Sequence, residues 1–217
     1  MAVERKPYRR EAEDKRRLAL IEATLALVSE GGAATATVRA IAARAGVTPG
    51  LIRHYFHTKE ELIADSYRHL MINMTSGAAG VLTSAPRDPN ARLAAFVAAT
   101  LRPPVLDREA VVRWAAFMQE TRNSAVMLEI HRQTYLAFRD QLQLLIAALP
   151  AAPASIDDQR RLAIACNALL DGLWLEGSTL PDAFAKGELV RIGVKAVGSL
   201  VGVDLNYYLL LSEPPEL

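Results

Sequence analysis

The chain has 217 residues, 51% of them hydrophobic, with 25 Lys+Arg against 24 Asp+Glu and a formal net charge of +1. That is enough apolar material for a sizeable core, and so even a balance excludes a generic polyanion binder. The single cysteine, Cys166, excludes an intrachain disulfide and fits a reducing compartment. The charge is uneven along the chain: residues 1–72 hold 12 Lys+Arg against 9 Asp+Glu, and residues 73–217 hold 13 against 15.

The basic excess lies in ERKPYRREAEDKRR (Glu4–Arg17), which on charge alone reads as a solvated, frayed terminus. It lacks the apolar segment of a signal peptide, and no run of about 18 uncharged apolar residues follows. The expectation is a cytoplasmic chain without membrane partners. Leu18, Ile21, Leu25 and Val28 then recur at helical spacing, and Gly31-Gly32 closes that helix. Thr37 is a good N-cap for a short helix containing Val38, Ile41, Ala42 and Ala45, and a second short helix follows Thr48. Thr58-Lys59-Glu60-Glu61 is a capping box that opens a long helix with Leu62 or Ile63, Tyr67, Leu70 and Met74 as its inner stripe.

Thr83–Asn90 is a loop by composition. Helices are predicted from about Asn90 to Leu101, from Asp107 to Arg122 after the break at Pro103-Pro104, and over 124–149. Ser155 and Asp158 open the next, to about Gly177, and the last runs from about Lys186 to Val203. No strand alternation is convincing, so the fold class is all-α, with about nine helices. The tail LNYYLLLSEPPEL is apolar, then acidic and proline-rich, and is assigned no element.

The stretch AIAARAGVTPGLIRHYFHTKEELI (Ala40–Ile63) breaks helical continuity at Gly46 and again at Thr48-Pro49-Gly50. Two short helices joined by a tight turn, following a longer one, describe a helix-turn-helix. Gly46 can take the left-handed conformation that ends a helix, and Val47 plugs the turn. Thr48 caps the second helix, with Pro49 at its first position, where a missing N–H costs nothing. Ile52 points back toward Ala42. The break redirects the chain so that a second helix presents Thr48, Pro49, Gly50, Arg53 and His54 outward. Small residues there let a helix enter the major groove, and an arginine can read guanine bidentately. Tyr55 and Lys59 follow where they could hold phosphates, although Tyr55 and Phe56 also suit a core. Thr37, at a capped helix N-terminus, is a further phosphate contact. Arg39 and Arg44, on the first short helix, complete the expected DNA-facing set.

Here the sequence resembles the tetracycline-repressor (TetR) family of bacterial regulators, over LIEATLALVSEGG (Leu20–Gly32) and TVRAIAARAGVTPGLIRHYFHTKEELI (Thr37–Ile63). The family pattern ends its recognition helix in aromatic-aromatic-His-Phe before a Lys-containing turn. Here those places read Arg53, His54, Tyr55, Phe56 and Lys59. The departure leaves Lys59 and Thr37 as the phosphate contacts the resemblance carries over best. The HYF variant, WAAF (Trp114–Phe117) and ALLDGLWLEG (Ala168–Gly177) are similar to the BetI-like subgroup, repressors of choline-to-betaine genes. That likeness implies an N-terminal helix-turn-helix DNA-binding domain, 1–57, and an effector-binding and dimerisation domain, 58–217. It also implies a homodimer joined by the last two helices, roughly 157–177 and 186–203.

In the second half, Trp114, Phe117, Tyr135, Phe138 and Trp174 lie on three predicted helices. With Glu120 or Asp171 they could hold a quaternary ammonium by cation–π attraction, although aromatics at helical spacing also serve as core. Asp171 interrupts an apolar helix and should have a partner. Gly172 and Gly177 suit close helix crossing. The four histidines lack metal-ligand spacing, and no Gly-rich phosphate loop or Ser/His/Asp arrangement stands out. No catalytic residue, metal or cofactor is expected. The expected partners are duplex operator DNA, a small-molecule effector and a second copy of the chain. The alternative is a helical ligand-binding or protein-interaction module with a vestigial DNA-binding head.

Overall fold

The computed structural model describes residues 5–85 and 87–212, with side chains for 13–85 and 87–209. Glu4 and residues 213–217, with the acidic end of the tail, lie outside the described residues. All the regular structure described is helical: α1 (Arg5–Gly31), α2 (Val38–Arg44), α3 (Pro49–Tyr55), α4 (Lys59–Val81), α5 (Pro89–Thr100), α6 (Arg108–Thr121), α7 (Ala125–Ala147), α8 (Ile156–Thr179), α9 (Glu188–Val201) and α10 (Leu205–Ser212), with a 3-10 turn over Pro181–Ala183. The described helices therefore number ten, one more than the sequence patterns indicate. The addition is α10, in the tail that carried no assignment. Its apolar run is too short for helical periodicity to show. It forms because α5 and α9 offer it a surface, where Leu205 and Leu209 are buried.

The caps explain most of the boundaries. Thr37 Oγ1 accepts the amide of Ala40 at 3.2 Å, Asp88 that of Ala91 at 2.9 Å and Ser155 that of Asp158 at 3.4 Å. The Asp88 cap starts α5 at Pro89, one residue before the expected helix start. The capping box closes as expected: Thr58 Oγ1 accepts from the Glu61 amide at 3.0 Å, and Glu61 accepts from the His57 amide at 3.0 Å. The basic start is helical from Arg5. Of the expected inner stripes, Met74 of α4 is only half-buried, and one position of α1 fails. Leu18 is 43% exposed while Leu20 is fully buried, so the inner stripe of α1 is Leu20, Ile21, Leu25 and Val28.

The chain divides into two compact units, residues 1–71 with 112–131, and residues 72–111 with 132–217. In the first, α1 packs on α2 and α2 on α3. Its core includes Leu25, Ile41, Ile52, Phe56, Leu62 and Tyr67. Phe117 stacks on Tyr67 at 5.2 Å between ring centroids, and the Tyr67 hydroxyl is 2.8 Å from His131 Nδ1. In the second unit, α8 and α9 pack together and α5 lies against α8, α9 and α10. A Cβ at Gly177 would come within 2.3 Å of a Leu189 methyl carbon, whereas one at Gly172 would meet nothing within 4 Å. Of the two glycines expected at a helix crossing, Gly177 occupies one within this chain.

Candidate functional site

The turn between α2 and α3 is built by Gly46, whose φ of +66° is a backbone conformation that a side chain would strain. The Val47 amide reaches back to the Ala42 carbonyl at 2.9 Å, with Val47 half-buried and Ala42 buried. Ile52 faces the same core, so the outer face of α3 is fixed. Thr48 stands at the N-cap with extended backbone but makes no side-chain cap bond. The Leu51 amide is taken by the Thr48 carbonyl at 3.0 Å, and Pro49 has no amide to offer.

Thr48, Pro49, Gly50, Arg53 and His54 are all exposed, as the redirected helix requires. Tyr55 is half-buried, with the His54 ring edge-on at 5.2 Å. Phe56 is 1% exposed and belongs to the core, with the Arg17 guanidinium 5.1 Å above its ring. Thr37 and Arg39 are exposed, and Lys59 is half-exposed at the start of α4. Arg44 has a local partner: its two terminal nitrogens reach the Glu30 carboxylate at 2.7 and 2.8 Å. That bidentate hydrogen bond holds the Glu30 carboxyl below the usual carboxylate range. Glu30 was not visible as a partner in the sequence because the two residues are 14 apart and meet only when α2 folds onto α1.

The residues expected at an effector site divide between the two units. In the first, Phe117 is wholly buried and Trp114 half-buried. Glu120 lines a cleft of about 600 Å³ with Lys59, Glu60 and Met127, beside the start of α4. In the second, the structure brings Tyr135 and Asp171 together. The Tyr135 hydroxyl donates to Asp171, and Asn167 Nδ2 donates to the Tyr135 oxygen at 2.6 Å and to Asp171 at 3.0 Å. Burial, and then the Asp171 carboxylate, push the Tyr135 phenol up to about 12. Asn167 is 2% exposed, and its Oδ1 has no hydrogen-bond partner. Asn167 escaped the sequence reading, although its i,i+4 spacing from Asp171 in an apolar helix was a usable signal.

Phe138 is half-buried against Phe96, with ring centroids 5.2 Å apart. Trp174 is nearly buried, and its indole N–H donates to the Val105 carbonyl at 2.9 Å. Burial pushes the Cys166 thiol up to about 11, so it behaves as a core residue. Among the described residues no group of three His, Cys, Asp or Glu could hold a metal, and no helix is long and apolar enough to cross a membrane.

Residues 20–65 match the family model for bacterial regulatory proteins of the tetR family. Residues 89–202, more than half of the chain, match that for the C-terminal part of BetI-type transcriptional repressors. The chain belongs to the TetR family, in its BetI-type branch. This transcriptional regulator is 31% identical over 164 residues to the HTH-type transcriptional regulator BetI of Burkholderia ambifaria, covering 75% of this chain and 82% of the relative. A solved structure from Pseudomonas aeruginosa PAO1, assigned as a transcriptional regulator, superposes with a TM-score of 0.81 at 31% identity over 90% of this chain and 95% of that one. A further structure, of a protein from Saccharomonospora viridis in complex with choline, shares the fold with a TM-score of 0.65 at 18% identity, over 87% and 96% of the two chains.

Proposed function

We propose that this TetR-family regulator represses transcription by binding a near-palindromic operator as a homodimer, and that a small-molecule effector releases it. The observation that carries the DNA-binding part is the outward face of α3, where Pro49, Gly50, Arg53 and His54 are exposed while Ile52 and Phe56 anchor the helix from behind. One such head, within residues 1–57, reads only a few base pairs, so two must be coupled. Support for coupling comes from 58–217. Ile164, Gly172 and Leu175 are exposed on one stripe of α8, and Ile192 and Leu200 on α9, an apolar surface suited to a second copy. A mobility shift with the regulator's own upstream region, together with sedimentation at micromolar concentration, tests this reading. No shift, or a monomer, overturns it.

Lys59 is assigned to a phosphate, with Thr37, Arg39 and the flank of α3 as further backbone contacts. Arg44 reaches DNA only by sharing or leaving Glu30. Lys59→Ala should weaken every operator sequence alike and lower the slope of log affinity against log salt by about one unit. Fluorescence anisotropy across a salt series checks it, and an unchanged slope removes Lys59 from the phosphate set.

The effector proposed is a small quaternary ammonium, with choline as the first candidate. Tyr135 and Asp171 supply an aromatic face and a carboxylate, Phe138 lies on the same helix as Tyr135, and the unpartnered Asn167 Oδ1 suits a ligand hydroxyl. The choline bound by the Saccharomonospora viridis protein supports the same class. Trp174 remains a candidate within the same unit, and Trp114, Phe117 and Glu120 remain candidates by themselves in the first unit. The ligand acts by population shift, and its differential affinity for the form unable to engage both half-sites sets the response. Calorimetry with choline and betaine aldehyde, alongside operator release, should show heat and release together. The absence of both signals would remove the quaternary ammonium and leave the DNA-binding assignment standing.

A further inference from the structure

The second unit carries a cleft of about 1070 Å³ that the effector reading does not use. It opens between the turn after α5, the loop after α8, and helices α9 and α10. Its charge is one-sided. Arg102, Lys186, Arg191 and Lys195 all line it, and no aspartate or glutamate does. The local backbone arranges this. Gly187, with φ +72°, turns the chain into α9 and leaves Lys186 exposed at the rim, while Arg191 and Lys195 follow one turn apart on α9. The Arg191 guanidinium is held by the Lys186 carbonyl at 3.3 Å. Glu188, the acid nearest in sequence, is turned to the Ala185 amide at 2.7 Å. Among the described residues, Lys186 and Lys195 form no ion pair within 4.0 Å.

Like charges gathered on one helix face repel, and a bound anion would relieve that repulsion. The remaining wall of the cleft is leucine, valine, proline, phenylalanine, alanine and glycine, with Asn206 as its neutral polar side chain. Arg102, Pro103 and Leu209 also border a second hollow of about 350 Å³, lined otherwise by alanine, valine, glycine, serine and proline. A cationic rim over an apolar floor selects for two properties at once in one ligand.

We propose that this cleft binds a small anion with an apolar body, a carboxylate or phosphate on a short aliphatic chain, its head group among Lys186, Arg191 and Lys195 and its chain toward Pro103 and Leu209. The site is separate from the quaternary-ammonium reading, which would place a cation at a carboxylate elsewhere in the unit.

The test is calorimetry on the full-length protein with octanoate, octyl phosphate and octanol, and the same titrations on the double variant Lys186→Ala/Lys195→Ala. Both lysines are exposed, so the variant should keep its melting temperature. Octanoate and octyl phosphate should both bind, at least about tenfold tighter than octanol, and the double variant should lose about tenfold for the two anions while leaving octanol unchanged. The tighter of the two anions assigns the head group. Octanol binding as well as octanoate, no binding by either anion, or anion binding unaffected by the double variant would each overturn the proposal. The choline titration reads a different site, so its outcome is independent of this one.

Discussion

Phe56→Ala should abolish operator binding without touching a single DNA contact. The ring is 1% exposed and follows immediately on α3, where the Phe56 amide closes the helix on the Ile52 carbonyl at 2.8 Å. Truncating a buried phenylalanine costs about 3–5 kcal/mol through lost burial and the cavity left behind. The Arg17 guanidinium above the ring adds a cation–π contact of about 0.5–1 kcal/mol. Whole domains are stable by only about 5–15 kcal/mol, and α3 is seven residues long, too short to hold its shape unsupported. The helix should therefore come loose before the rest of the chain unfolds. The expected result is a loss of mobility shift, with circular dichroism showing most of the helix content retained at low temperature. A variant that shifts operator DNA within about twofold of the parent would show that α3 is held by Ile52 and the Gly46 turn alone, against the cavity cost.

Arg53→Ala should cost about 1–3 kcal/mol of operator affinity, roughly 5- to 150-fold, and relax selectivity at one base position. Arg53 is exposed on the last turn of α3 and makes no ion pair among the described residues. The neighbouring cations differ. Arg17 is bonded to Asp65 and Arg44 to Glu30, so each would have to exchange a local carboxylate for DNA. Arg53 has no such exchange to make, and its planar guanidinium fits the two acceptors on guanine. Arg53→Lys separates charge from geometry: it should keep the backbone attraction and lose the discrimination. Competition binding against operators altered one position at a time provides the measurement. An equal loss on every altered operator would make Arg53 a phosphate contact instead.

Local chemistry made the head legible. A glycine at a helix end, proline at a first helical position, a hydroxyl three residues before an acid, and apolar residues at helical spacing each act within a few residues of themselves. The helix-turn-helix, the capping box at Thr58 and the exposed face of α3 accordingly follow from the sequence alone, and so does the all-helical class. The Asp88 and Ser155 caps and the breaks at Gly31-Gly32 and Pro103-Pro104 are local in the same sense, which is why the element order from α1 to α9 could be read in advance.

Contacts between residues distant in the chain were decided by packing. Leu18 matches the spacing of the α1 stripe yet is exposed, because α1 turns Leu20 inward in its place. Helix α10 exists where α5 and α9 provide a floor for a short apolar run that shows no periodicity of its own. Arg44 reads as a free cation until α2 folds back onto α1 and sets it against Glu30. Tyr135, Asn167 and Asp171 become one hydrogen-bonded group only where α7 meets α8. Four cations drawn from two regions of the sequence become one cleft only when the turn after α5 meets the start of α9. By itself the sequence determined where helices begin, where they stop and which way α3 faces, because caps, glycines and prolines act on their nearest neighbours. Only the tertiary structure decided which charges are paired and which polar groups meet, because those energies depend on distances that no spacing along the chain encodes.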